Sequence, residues 1–188
     1  MAGLLYPLSR AVLFRLDPEA AHGLSLSTIA RVGNVPILRS VVASQFSVPG
    51  AEPVEVFGLR FPNRVGLAAG YDKDGEGWRG LACLGFGHIE VGTVTPEPQP
   101  GNPKPRIFRL VEKRSVINRM GFPGRGAEYV AAQLRGRKPG GPIIGVNIGK
   151  QKSTELEDAA GDYEKLVDVF ASLADYLAVN ISSPNTPG

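Results

Sequence analysis

Apolar residues at helical spacing open the chain. From Leu4 to Leu16 they recur every three or four positions, which indicates an amphipathic helix with an unusually wide apolar face. A second helix is predicted to begin at Asp17, a suitable N-cap, with Pro18 at the first helical position, and to run to about residue 33. The pattern therefore predicts an N-terminal two-helix hairpin within residues 1–48.

Two roles fit this hairpin. Amphipathic helices usually cover a protein core, and the apolar pattern alone favours such a cap. The width of the apolar face, together with Arg10, Arg15 and Arg31, also suits helices that lie in a membrane interface without spanning it. The pattern by itself leaves both roles open.

After a linker rich in proline and glycine, short apolar runs alternate with helical segments. Residues 54–57 and 59–61 flank Gly58 and predict a small β-hairpin. Longer strands are predicted at residues 65–69, 88–94, 143–148 and 176–181, with helices near residues 75–84, 124–134 and 159–174. Repetition of strand, helix and strand predicts an α/β fold with a parallel sheet.

The expected architecture is a (β/α)8 TIM barrel, of which about the first four βα units are present. A typical barrel of this kind needs about 250 residues, whereas this sequence has 188. We therefore expect residues 54–188 to form the first half of a barrel that follows the helical hairpin.

Composition narrows the class of protein. With 43% hydrophobic and 21% charged residues, the chain can bury a core and does not resemble a disordered protein. One cysteine, Cys83, excludes a disulfide framework and a zinc cluster built on thiolates, and it is predicted to be a small buried apolar residue. No run of 18 or more apolar residues indicates a spanning helix.

The net charge of +3 conceals an uneven distribution. Basic residues concentrate between residues 101 and 140, and acidic residues between residues 151 and 175. The arginines lack the interleaved aromatic residues of a nucleic-acid platform, so a solvated face is the favoured interpretation and no nucleic-acid partner is expected.

Neutral polar side chains and one lysine follow the ends of the predicted strands. They are Lys73, Thr93, Asn118, Asn147, Asn180, Ser183 and Asn185. Each stretch alone is more often a simple turn, but carboxyl ends of parallel strands meet at one edge, where active sites gather. Amides both donate and accept, which complements a pyrimidine or a flavin, and the lysine suits a carboxylate. No metal-ligand spacing and no dinucleotide fingerprint appears, so no metal site is expected.

Several motifs carry a resemblance to a known family. FPNRVGLAAGYDKDGE, GFGHIEVGTVTPEPQPGNPKPRIFRL, VINRMGF, GVNIGK and NISSPNTPG occur in this order, after the helix start DPEAAH. In order and spacing they resemble the quinone-dependent (class 2) dihydroorotate dehydrogenases. The resemblance implies oxidation of dihydroorotate to orotate in pyrimidine (UMP) synthesis, with FMN as cofactor and a membrane quinone as final acceptor.

The resemblance also implies roles for individual residues. Ser183 is expected to be the catalytic base, assisted by Thr186 and Phe122. Substrate contacts are expected from Lys73, Asn118, Phe122, Asn180 and Asn185, and FMN contacts from Ala69, Gly70, Lys73, Thr93, Asn118, Asn147 and Asn180. His22 and Arg109 are expected near the inner end of a quinone tunnel beneath the helical hairpin.

Because the quinone acceptor that the resemblance implies is lipid-soluble and must enter from the bilayer, the resemblance favours the membrane-interface role of the hairpin. Without an Arg/Ser-rich presequence or a spanning helix, we expect a monomeric bacterial enzyme, peripheral to the cytoplasmic face of the inner membrane. One alternative is a non-catalytic truncated fragment that acts only in membrane or partner contact. Another is the soluble class of this activity, against which Ser183 and residues 1–33 argue, because that class has a cysteine base and no hairpin. Because barrel phosphate sites typically use the loops after strands seven and eight, the 188 residues alone are expected to hold little FMN.

Overall fold

The computed structural model describes residues 2–46, 50–137 and 140–181. Its helices are α1 (Ala2–Leu13), α2 (Pro18–Asn34), α3 (Pro36–Gln45), α4 (Trp78–Leu81), α5 (Ala127–Leu134) and α6 (Ala159–Phe170). Its strands are β1 (Val54–Val56), β2 (Leu59–Phe61), β3 (Gly66–Leu67), β4 (His88–Val94), β5 (Ile107–Leu110), β6 (Ser115–Asn118), β7 (Ile143–Gly149) and β8 (Tyr176–Asn180). Short 3₁₀ turns follow α4 (Ala82–Leu84) and β5 (Val111–Lys113).

A parallel sheet with the strand order β3-β4-β7-β8 forms the centre of the fold. Fully buried apolar side chains come from the two middle strands, β4 and β7, among them Ile89, Val91, Ile144 and Val146. Strands with so continuous an apolar sequence are typical of parallel sheets whose two faces are both covered. The predicted α/β character and parallel sheet are therefore confirmed.

Helices α4, α5 and α6 complete the core. Val130 and Leu134 of α5 and Leu166 and Phe170 of α6 are buried in the same cluster as β4 and β7. Trp78 of α4 is 6% exposed, and its indole Nε1 donates to the carbonyl of Gln133 over 3.2 Å. That bond fixes α4 against the end of α5. Cys83 is buried, as predicted.

The N-terminal segment contains three helices, so the prediction of a two-helix hairpin is wrong. Helix α2 begins as predicted, with Asp17 Oδ1 accepting from the backbone N–H groups of Glu19 and Ala20. A third helix, α3, follows directly, with Val35 at its N-cap and Pro36 at its first position. Proline is favoured at a helix start, so Pro36 was the overlooked signal.

Helix α2 packs closely on α4. A Cβ atom added to Gly33 would lie 2.3 Å from the backbone nitrogen of Gly80, and one added to Gly80 would lie 2.0 Å from the carbonyl oxygen of Ile29. Both positions therefore require glycine for the two helices to approach. This contact joins the N-terminal helices to the sheet.

Helices α1 and α3 expose apolar side chains. Leu8 and Val12 on α1, and Ile37 and Val41 on α3, are all more than half exposed. Within the described part of the chain, no helix is both long enough and apolar enough to cross a lipid bilayer.

Two antiparallel hairpins lie outside the parallel sheet. The pairing of β1 with β2 through Phe57 and Gly58, both at positive φ, confirms the predicted small hairpin. The hairpin β5–β6 was not predicted. Arg114 turns that chain at a φ of 49°, a conformation that glycine or asparagine usually marks in a sequence, so the turn signal was missing.

Candidate active site

A cavity of about 690 Å³ opens at the carboxyl ends of the parallel strands. All ten site residues that were expected from the sequence and lie in the described ranges line it: His22, Ala69, Gly70, Lys73, Thr93, Arg109, Asn118, Phe122, Asn147 and Asn180. The structure therefore brings together residues that are up to 158 positions apart in the sequence. Ser183, Asn185 and Thr186 lie outside the described residues.

Three polar side chains form a row across adjacent strands at the floor of this cavity. Thr93 Oγ1 on β4 donates to Asn147 Oδ1 on β7 over 2.6 Å. Asn180 Nδ2 on β8 lies 3.3 Å from Thr93 Oγ1 and 3.5 Å from Asn147 Oδ1. The backbone of Asn180 is fixed as well, because its carbonyl accepts from Tyr163 Oη over 2.7 Å.

Glu90 supports this row, although the sequence analysis did not select it. Its Oε1 accepts from Asn147 Nδ2 over 3.0 Å, and its Oε2 accepts from Tyr176 Oη over 3.1 Å. Burial, together with the negative charge of Glu90, raises the pKa of Tyr176, so the phenol remains a donor. A single carboxylate within an apolar strand was the signal that could have identified it.

The loop after β3 positions Lys73. The backbone N–H of Gly70 donates to the carbonyl of Gly92 over 2.8 Å, and Lys73 Nζ donates to the carbonyl of Gly70. Burial lowers the pKa of Lys73 from its ordinary value.

Asp72 fixes the same loop from the inside. Its fully buried carboxylate accepts from the backbone N–H groups of Glu76 and Gly77, each over 2.9 Å. Burial raises the pKa of Asp72 to about 6, and the two backbone donors partly offset that effect.

Gln99 holds the segment that carries Phe122. Phe122 has a φ of 48°, a conformation that side chains rarely adopt, and its carbonyl accepts from Gln99 Nε2 over 2.9 Å. Gln99 Oε1 accepts from the backbone N–H of Lys152 over 3.1 Å, so this buried amide joins two loops. Sequence reasoning missed Gln99 too, since an isolated glutamine in a proline-rich loop gives no signal.

His22 and Arg109 lie where α2 and β5 contribute to the cavity wall. The ring of His22 packs edge-on against Tyr71, with 5.0 Å between the ring centroids. Neither ring nitrogen of His22 has a hydrogen-bond partner among the described residues. Burial lowers the pKa of His22, and the nearby charge of Lys73 adds to the effect, so the ring is neutral at pH 7. Arg109 Nη1 donates to the carbonyl of Leu16 over 2.8 Å.

This arrangement can bind a flat, polar heterocycle. Neutral amides and a hydroxyl line its floor, backbone and apolar groups form its walls, and Lys73 supplies a cation. The volume lies within the range of small-molecule and cofactor sites.

Comparison with known proteins gives the same family in three ways. The family model for dihydroorotate dehydrogenase matches residues 53–188. Proteins called dihydroorotate dehydrogenase (quinone) from Teredinibacter turnerae and Roseiflexus sp. are 52% and 51% identical over 98% of this chain. A crystal structure of DHODH from Eimeria tenella in complex with ferulenol is 40% identical, with a TM-score of 0.77, over 92% of this chain and 46% of that one.

The chain spans about half the length of the curated relatives it matches, 53% and 51% for the two bacterial proteins. The family model covers well over half of this chain, and the parallel sheet with its strand-end cavity agrees with the matching fold. The resemblance carried by the sequence motifs is confirmed, and the chain belongs to the dihydroorotate dehydrogenase family.

Proposed function

We propose that this protein oxidises dihydroorotate to orotate, with FMN as cofactor and a membrane quinone as electron acceptor, in the synthesis of UMP. The observation that carries the proposal is that ten of the expected site residues line the same cavity, of about 690 Å³. The names of the bacterial relatives support the quinone-dependent class over the soluble class.

The chemistry of the cavity fits a flavin. A flavin ring presents N–H and C=O groups along one edge, and the hydroxyl of Thr93 and the amides of Asn118, Asn147 and Asn180 can satisfy both kinds. Ala69, Gly70 and Lys73 would complete the FMN site from the loop after β3. Bound FMN would supply the hydride acceptor.

The substrate would be held beside these groups. The ammonium of Lys73 suits the dihydroorotate carboxylate, whereas Asn118, Asn180 and Asn185 suit the edge of its ring. Ser183, three residues beyond Asn180 in the sequence, would take the proton from C5 while hydride leaves C6. A serine hydroxyl is a weak base, so Thr186 and Phe122 would assist by relaying the proton and excluding water.

The quinone would approach from the side of the N-terminal helices. His22 is neutral and Arg109 is held by the carbonyl of Leu16, so one supplies an uncharged ring that can still form hydrogen bonds and the other supplies a cation. The exposed apolar side chains of α1 and α3 suit an interfacial anchor. We infer a peripheral, monomeric enzyme on the cytoplasmic face of a bacterial inner membrane.

The four parallel strands suit the first half of a (β/α)8 barrel, in which residues 54–188 follow the N-terminal helices of residues 1–48. In such barrels the active site forms at the carboxyl ends of the strands, where the cavity opens. The alternative of a non-catalytic fragment has no such support, because membrane or partner contact alone would not require this set of residues in one cavity.

Ser183→Ala in the full-length polypeptide tests the proposal. We expect the variant to bind FMN normally, as judged by flavin absorbance after gel filtration. Reduction of the flavin by dihydroorotate should slow by about 100-fold or more in stopped-flow measurements, since general-base catalysis contributes about that factor. Ser182→Ala is the matched control, with the same chemical change one residue away, and should reduce at the wild-type rate. Equal rates for the two variants would remove Ser183 from its proposed role.

A further inference from the structure

A second cavity, of about 800 Å³, lies between α1 and the β5–β6 hairpin. Three arginines line it: Arg10 from α1, Arg109 from β5 and Arg114 from the turn between the strands. No Asp or Glu is among the described residues that line it.

Two of these arginines share one aromatic ring. The Cζ atoms of Arg10 and Arg109 lie 4.3 Å and 4.8 Å from the centroid of the Phe14 ring. In the described part of the chain, none of the three arginines forms an ion pair with a carboxylate. The fold therefore concentrates like charges that repel one another, and a bound anion would relieve that repulsion.

We infer that this cavity binds the phosphate headgroup of an anionic membrane phospholipid. Guanidinium groups match phosphate oxygens in geometry as well as in charge. The rim of the cavity favours a lipid over a free anion, because Tyr6, Val111 and Val116 are all more than half exposed there. Acyl chains can lie against this apolar rim while the headgroup reaches the arginines.

The inference rests on the proposed membrane contact and makes it specific. Basic residues near a bilayer attract anionic lipids wherever they lie on the surface. If the cavity is a specific site, binding depends more on the arginines that line it than on other exposed basic residues. Arg109 and Val116 line both cavities, so the headgroup site adjoins the proposed quinone site.

Two double variants of the full-length protein distinguish lipid binding in the cavity from diffuse attraction by exposed basic residues. Arg10→Gln with Arg114→Gln removes two charges from the cavity. Arg15→Gln with Lys113→Gln removes two exposed charges that lie just after α1 and next to Arg114 in the sequence but do not line the cavity. Co-sedimentation with phosphatidylglycerol vesicles and with phosphatidylcholine vesicles, at about 0.1 M salt, measures the affinities.

We expect the wild-type protein to prefer phosphatidylglycerol, and the cavity pair to lose at least ten times more of that affinity than the outer pair. If the two double variants lost equal affinity for phosphatidylglycerol vesicles, the attraction would be diffuse and the proposed headgroup site would be wrong. Displacement of the protein from vesicles by about 10 mM inorganic phosphate, at constant ionic strength, would overturn the lipid and indicate a free-anion site. Circular dichroism melts of both variants would test whether they fold.

The lipid site and the proposed function are tested separately by one further measurement on the same samples: oxidation of dihydroorotate with a water-soluble dye as the electron acceptor. We expect both double variants to retain the wild-type rate, because none of their four residues has a place in the proposed active site. A wild-type protein that binds phosphatidylglycerol selectively but does not oxidise dihydroorotate would refute the proposed function alone.

Discussion

The Arg106 guanidinium donates two hydrogen bonds to the Glu19 carboxylate, from Nη2 to Oε1 over 2.6 Å and from Nε to Oε2 over 3.2 Å. Arg106 is 7% exposed, and its Nη1 also donates to the carbonyls of Pro100 and Asn102. This side chain ties the first turn of α2 to the segment before β5. The same two elements carry His22 and Arg109, so the pair fixes the spacing of the proposed quinone residues.

Glu19→Gln should lower the free energy of unfolding by about 2 to 3 kcal/mol at pH 7, because it leaves a buried guanidinium without its anion. Urea denaturation measures the change. Lys104→Gln is the control: Lys104 also contacts Glu19, at 3.3 Å, but is largely exposed, so its loss should cost less than about 1 kcal/mol. Similar losses for the two variants would contradict a special role for Arg106.

The same pair predicts a loss of stability in acid. The hydrogen bond from Arg106 holds the pKa of Glu19 below its ordinary value. The contribution of the pair is therefore complete above the pKa of glutamate in the unfolded chain and disappears as the pH falls through the lowered value. Unfolding of the wild-type protein and of Glu19→Gln should converge at low pH, which urea titrations between pH 3 and 7 would detect.

For Asp72 we expect the opposite dependence of stability on pH. Its pKa is about 6 in the folded protein and near the ordinary value of about 3.9 in the unfolded chain, so the folded state holds the proton longer. The contribution of Asp72 is most favourable below pH 4 and is lost as the pH rises to 6. The stability of the wild-type protein relative to Asp72→Asn should therefore fall by about 2 to 3 kcal/mol between pH 4 and pH 7. A difference that stays constant with pH would contradict the buried, shifted carboxyl group.

Glu90→Gln, introduced into the full-length polypeptide, should weaken FMN binding. The carboxylate accepts from both Asn147 and Tyr176, whereas an amide has one acceptor oxygen and would turn an NH₂ group towards one of the two donors. The Asn147 amide would lose its fixed orientation, and we expect about a tenfold loss of affinity, measured by flavin fluorescence titration.

Tyr176→Phe is the control for that experiment. It removes one donor but leaves the bond between Glu90 and Asn147 intact, so FMN affinity should change by less than about threefold. A larger loss for Tyr176→Phe than for Glu90→Gln would show that the phenol, rather than the orientation of Asn147, is important.

Gly145→Ala should destabilise the sheet by about 2 kcal/mol or more. Gly145 on β7 is the register partner of Tyr176 on β8, and an added Cβ would lie 2.1 Å from the phenol ring carbon Cζ. Truncation of the ring removes the clash, so Gly145→Ala should cost little when introduced into Tyr176→Ala. Urea denaturation of the four proteins in this cycle tests the coupling, and additive effects would contradict it.

The central strands could be predicted from the sequence because their apolar runs need no partner to be recognised. The predicted strands at residues 88–94 and 143–148 correspond to His88–Val94 and Ile143–Gly149 in the structure. The strand predicted at residues 65–69 is shorter, since the chain leaves the sheet after Leu67 and Gly70 bonds to Gly92 instead. That bond depends on tertiary structure and leaves no local pattern.

The residues of the candidate site also fall into a group that the sequence could identify and a group that it could not. Asn147 and Asn180 could be selected because the carboxyl ends of parallel strands converge, whereas His22 came from the family resemblance alone. Glu90 and Gln99 act by holding other groups across more than 20 residues of sequence. Such roles become visible only when the fold has brought their partners together.

The buried position of Trp78 determines what the intrinsic fluorescence of this protein can report. Trp78 is the only tryptophan in the sequence. It lies on α4, its indole Nε1 donates to the Gln133 carbonyl of α5, and among the described residues no member of its buried cluster comes from α1. Its emission therefore follows the integrity of the helix layer over the sheet. Detachment of α1, on a vesicle or during heating, would leave that emission unchanged, so a probe attached to α1 is needed to observe it.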